Sequence, residues 1–151
     1  MAAHTRLEEV LTLVDREETG ISRARRVANV SLNLATTAVA SGNVTEAFAM
    51  LRRSIGSDRT WAELLPYQIL VGALVGSAGG RDDQAVVLHA AADALMASSH
   101  NVYELVEGRL READRSRLAE RMDPGEFDAA LQRGASLSAP DALDLAYSVL
   151  A

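Results

Sequence analysis

Asn43-Val44-Thr45-Glu46-Ala47-Phe48-Ala49-Met50-Leu51-Arg52-Arg53-Ser54-Ile55-Gly56 reads as one complete helix, with its start and stop signals included. Asn43 and Glu46 have capping-box spacing. The short polar side chain accepts from the amide three residues on, and the glutamate reaches back to the cap. Val44, Ala47, Phe48, Leu51 and Ile55 then recur at helical intervals and make one apolar stripe. Gly56 stands where a helix end needs a residue that can turn.

The same start signal recurs outward from this segment. Thr5-x-x-Glu8, Thr60-x-x-Glu63, Asn101-x-x-Glu104, Asp123-x-x-Glu126 and Ser138-x-x-Asp141 share the spacing. Asp123-Pro124-Gly125-Glu126 is the sharpest, because proline at the first helical position loses nothing by lacking an N–H. Met122 and Phe127 are placed around it as a hydrophobic staple. Leu7, Val10, Leu11 and Val14 form a further stripe, as do Ala85, Leu88, Ala92, Leu95 and Met96. Residues 27–40 and 64–78 are apolar nearly all round, which predicts burial on more than one side. Gly42, Gly79-Gly80 and Gly134 fall where C-terminal caps or turns belong. Sustained alternation of period two is missing. The expectation is an all-α chain of about eight helices, near 5–18, 21–41, 44–56, 60–78, 82–98, 102–121, 124–133 and 139–150.

Composition narrows the function classes. A chain of 151 residues that is 48% apolar can bury one core without disulfides or metal. It contains no cysteine, which removes disulfides, thiolate nucleophiles and cysteine-bound metals. The longest apolar run, Ile69 to Ala78, is half of the roughly 20 residues a membrane helix needs. Met1-Ala-Ala-His-Thr-Arg-Leu-Glu-Glu9 turns acidic at once and lacks a signal core, so a cytoplasmic location is expected. Net charge is −6 and all fifteen basic residues are arginine. The acidic balance weighs against direct nucleic-acid binding, which depends on neutralising phosphates. Absent lysine and abundant alanine suggest a GC-rich genome of actinobacterial type.

The chain aligns with itself at an offset of 38 residues, which pairs Ala35 with Ala73, Gly42 with Gly80 and Ala47 with Ala85. A small residue, a turn glycine and an alanine five residues later form the skeleton of a tetratricopeptide helix pair. Its helices cross so closely that larger side chains would separate them. The usual aromatics are missing, and the offset exceeds the ideal of about 34. The organisation expected is one helical-repeat domain over residues 1–151. Repeat-like pairs at about 21–56 and 60–98 would stack as antiparallel hairpins in a right-handed α-superhelix, with a tail from 102 to 151.

Ala85-Val-Val-Leu-His-Ala-Ala-Ala-Asp-Ala-Leu95, the helix from Tyr103 to Leu118, Phe127-Asp-Ala-Ala-Leu-Gln-Arg-Gly134-Ala-Ser-Leu-Ser138 and Ala142-Leu-Asp-Leu-Ala146 resemble a known tail. It is similar to the C-terminal end of large actinobacterial regulators, the LuxR-type or cyclase-linked predicted ATPases. The resemblance covers roughly residues 82–147, and His89 departs from it by standing where the family has a small residue. It implies a parent with an NTPase module, a tetratricopeptide-like region and often a helix-turn-helix domain. These 151 residues would then be its C-terminal piece or a shortened stand-alone relative. On that reading the chain is a non-catalytic interaction or sensor domain in transcriptional regulation. It would bind a protein partner or another module of its parent, or form a homodimer.

No catalytic, metal or cofactor set is legible. Gly72, Gly76, Gly79 and Gly80 lack the Gly-Lys-Ser/Thr and the preceding strand of a phosphate loop, and their spacing suits close helix packing. No histidine pairs with another at helical spacing: His4 is terminal, His100 lies in a polar linker, and His89 reads as a structural residue or a ligand contact. Adjacent acid pairs such as Glu8-Glu9 and Asp82-Asp83 diverge on a helix and suit solvated faces. The arginines from Arg109 to Arg121 alternate with acids, as on a salt-bridged surface helix.

The remaining candidate is a groove. Tetratricopeptide geometry, in which the first helix of each pair lines the concave face, would place Asn29, Leu32, Thr36, Val39, Tyr67, Leu70, Leu74 and Ser77 there. So apolar a face marks either a partner site, a small-molecule site or a surface filled by the chain's own helices. The expected cover is the C-terminal helix around Leu143, Tyr147 and Leu150, a second copy, or a ligand, with helix cover ahead of ligand.

Overall fold

The computed structural model describes residues 2–17, 20–56 and 61–150, and within them the chain forms eight helices and no strand. They are α1 (Ala2–Glu17), α2 (Gly20–Ala40), α3 (Val44–Ile55), α4 (Leu65–Ala78), α5 (Asp82–Ser98), α6 (Leu105–Arg121), α7 (Pro124–Ala135) and α8 (Ala139–Ser148). No helix is long and apolar enough to cross a membrane.

Start signals decide several boundaries. Asn43 Oδ1 accepts from the Glu46 amide, Asp123 from Gly125 and Glu126, and Ser138 from Asp141. Among the described residues, Thr5 and Asn101 do not cap the helices expected of them. Thr5 lies inside α1, which begins at Ala2. Thr60 lies outside the described residues, and α4 begins at Leu65 rather than near 60. The physical reason is Pro66, which fits only a first turn because it cannot donate to the residue four back. Asn101 instead closes the end of α5, its amide bonding to Met96 O at 3.0 Å, and α6 starts at Leu105.

The positions paired by the 38-residue offset occupy matching environments. Gly42 and Gly80 both take positive φ, 77° and 75°, just past α2 and α4. In each case the glycine amide and the next amide bond back into the last turn: Gly42 to Val39 and Asn43 to Ala38, Gly80 to Ser77 and Arg81 to Gly76. This double closure requires a left-handed residue, which glycine supplies without a Cβ penalty. Ala35, Ala73, Ala47 and Ala85 are all wholly buried.

α4 is the central element. Eleven of its residues are buried, from Pro66 to Ser77, and α2, α3, α5, α6 and α8 all pack on it. The main core gathers Leu32, Leu51, Ile69, Leu70, Leu74, Leu88 and Leu150 around it. A buried relay joins three helices, with Gln68 donating to Ser54 Oγ at 2.9 Å and Ser54 donating to Ala28 O at 2.8 Å. A second cluster of Ala85, Val86, Val87, Leu118 and Ala130 lies between α5, α6 and α7. Gly134 belongs to this contact and is not the expected cap. It lies inside α7, where a Cβ would stand 2.1 Å from Val87 O on α5. α8 docks on the glycine face of α4, where a Cβ on Gly72 would meet Ala146 Cβ at 2.8 Å.

Candidate functional site

The proposed groove residues lie on the faces of α2 and α4 that look toward α6. Leu32, Thr36, Leu70, Leu74 and Ser77 are buried, Val39 and Tyr67 are half-buried, and Asn29 is exposed. α6, not the C-terminal helix, packs on the α4 part of this face, and the α2 residues look toward α6 across two clefts. Leu110 packs onto the core that holds Leu70 and Leu74. Tyr103, just before α6, meets Tyr67 edge to face at 6.1 Å. α8 is committed to the opposite side through Gly72 and Gly76, because only there can two backbones approach so closely.

Two shallow clefts remain beside α6. One, of about 370 Å³, is lined by Asn29, Leu32, Thr36 and Tyr67 with Glu63, Glu104 and Glu107 at its rim. The other, of about 470 Å³, is lined by Val39, Leu74, Ser77 and Leu110 with Asp114, Arg117 and Arg121. Leu70 borders neither and serves the core.

α6 has few buried residues, only Asp114 and Leu118, so polar contacts hold it. Asp114 is the hub. Ser77 Oγ donates to its Oδ1 at 2.7 Å, His89 Nε2 meets its Oδ2 at 2.8 Å, and Arg117 donates at 3.2 Å. Burial opposes ionisation of Asp114, but the hydrogen bonds from His89 and Ser77 outweigh it and hold the carboxyl below its ordinary range. Farther along, Arg111 grips Asp93 of α5 with two bonds of 2.6 Å, and Arg115 adds a third at 2.9 Å. Arg121 reaches Asp82 at 2.7 Å. The arginine run therefore pairs mainly across to α5, rather than with the acids interleaved in its own helix. Of the earlier arginines, Arg23 pairs with Asp15 and Arg25 with Glu63.

Ser77, Asp114 and His89 include the residue types of a hydrolytic triad, but in the wrong order. A serine nucleophile needs an imidazole to take its proton. Here the carboxylate stands between hydroxyl and imidazole, and all three side chains are buried. What this arrangement can do is tie α4, α5 and α6 together. His89 Nδ1 is buried without a hydrogen-bond partner. Asp114 was not singled out from the sequence, because it is one acid among several in a charged run.

Two features lie away from these clefts. His4, Glu8 and Glu46 bring three ligand-type atoms together between α1 and α3. Val102, Leu105 and Val106 form an exposed apolar end at the start of α6, with Val102 85% and Leu105 68% accessible. Val10, Leu13 and Ile21 are further exposed apolar side chains at α1 and the start of α2. No family model, curated protein or solved structure matches the chain.

Proposed function

We propose that the chain is a non-catalytic protein-interaction domain, part of or derived from a cytoplasmic bacterial regulator of the LuxR-type or cyclase-linked kind. It binds its partner with the start of α6. The observation that carries this reading is the exposed apolar group Val102, Leu105 and Val106. Full burial of such a side chain contributes about 1.5–3 kcal/mol, so three in five residues are a strong incentive for contact. The adjoining cleft has a rim of Glu63, Glu104 and Glu107, which suits a partner carrying arginine or lysine beside apolar residues. The tail resemblance over residues 82–147 supports a regulator as parent, and the tetratricopeptide-like skeleton supports stacked hairpins as the binding scaffold.

A photo-crosslinking amino acid at Val106 should give a discrete adduct in cells, while the same probe at exposed, polar Glu112 gives none. Absence of an adduct at Val106 would overturn the reading. The small-molecule alternative draws on the cleft of about 470 Å³ beside Val39, Leu74 and Ser77, which is within the size range of ligand sites. A native mass spectrum of the purified chain with added ligand mass would favour it.

A further inference from the structure

We propose that His4, Glu8 and Glu46 form a binding site for a zinc-type divalent cation that fastens α1 to α3. His4 Nε2 lies 3.0 Å from Glu46 Oε1 and 3.4 Å from Glu8 Oε1, and all three ligand atoms fall within 4.8 Å of one another. Zinc bonds to imidazole nitrogen and carboxylate oxygen are about 2.0–2.2 Å, so the edges of a tetrahedral site are roughly 3.4 Å. Two of the three edges are already near that length. Rotation of the Glu8 carboxylate closes the third, and water completes the fourth position.

Charge points the same way. Two carboxylates turn toward the one Nε2, which can carry only one N–H. With that nitrogen as ligand, the two carboxylates balance a dication. Asn43 donates from Nδ2 to the other Glu46 oxygen at 2.7 Å and so aims the free oxygen at His4. A nitrogen donor beside two oxygens selects zinc-type ions over magnesium or calcium, which take oxygen alone. The half-exposed setting leaves an entry path.

The site has a structural use. α1 packs on α2 through Leu7 and Leu11, and it meets α3 at Met50 and through the Asp15–Arg53 pair at the far end of the helix. A metal at His4 clamps the near end. The His-to-Glu spacing of four within α1 is visible in the sequence, but Glu46 reads only as a capping residue until the fold brings it to His4.

The test uses the untagged full chain and zinc chloride, followed by calorimetric titration and thermal unfolding. A single saturable site is expected, with a rise in melting temperature that chelator reverses and magnesium does not reproduce. H4A and E46Q should each weaken binding roughly tenfold or more, while H100A leaves it unchanged. An ion pair without metal predicts the reverse: H4A lowers stability but zinc does nothing, and that result overturns the proposal. Unchanged zinc binding in H4A and E46Q overturns it as well. Neither result bears on the interaction surface at Val106.

Discussion

Single residues in this fold are constrained by close backbone approach and by one buried carboxylate. Gly134 has room for no side chain, because Val87 O occupies the place of a Cβ. Gly134→Ala should therefore cost at least about 1–3 kcal/mol through overpacking, measured by urea unfolding. Gly134 reads from the sequence as a helix stop, since glycine serves both turns and close contacts, and only the position of α5 distinguishes them. Asp114 gives a signed pH effect. Its folded carboxyl titrates below its unfolded value, ordinarily about 3.9, so its stabilisation is complete above that pH and is lost as pH falls through the lower folded value. Acid unfolding of Asp114→Asn should show a smaller loss across this window than wild type. Asp114→Ala should cost about 3–5 kcal/mol at neutral pH, because His89 and Ser77 lose their partner inside the protein. An unchanged acid profile in Asp114→Asn would remove the carboxylate from this role.

At the scale of elements, α6 differs from the rest. α4 and α5 each bury apolar residues along most of their length. α6 is a charged helix fastened by Asp93, Asp82 and Asp114. Asp93→Asn should release Arg111 and Arg115 and speed amide exchange across residues 105–121, with little change in α4. Equal acceleration in both helices would show that α6 has no separate opening. In the repeat-like pairs, Ala47→Leu and Ala85→Leu should each cost about 1–3 kcal/mol, since both alanines are wholly buried. Neutral results at both would break the link between the self-alignment and tight helix contact. The element types and most ends were legible because caps and glycines are local codes. The start of α4 is set by Pro66 rather than by the cap spacing of Thr60-x-x-Glu63, because a proline without an N–H fits only the first turn.

For the whole molecule, the clusters of the core are connected. Leu137 and Leu145 pack against both the main core and the α5–α7 cluster, and Met50 links the main core to the α1–α2 contact. Unfolding should therefore be a single transition, with Trp61 fluorescence and far-ultraviolet dichroism losing signal together. Separate midpoints would mean that the α5–α7 end melts independently. The exposed end of α6 should be different in kind. Leu105→Ser with Val106→Ser should shift stability by less than about 0.5 kcal/mol, because those side chains already face water. The same pair of changes at Leu70 and Leu74 should lower stability markedly, since both are core residues.

By itself the sequence determined that this protein is helical, roughly where each helix runs, and that Ala35, Ala47, Ala73 and Ala85 lie in tight places. Periodicity, caps and side-chain size act within one helix or between neighbours, so they can be read along the chain. Tertiary structure alone decided that α6, not α8, packs on the Leu70 and Leu74 side of α4. The choice depends on Gly72 admitting Ala146 on one side of α4 while Ser77 and His89 meet Asp114 on the other. It alone brought Glu46 to His4 and left Val102, Leu105 and Val106 uncovered. Residues distant in the chain meet only when the whole packing is set, and no local spacing encodes which of them will.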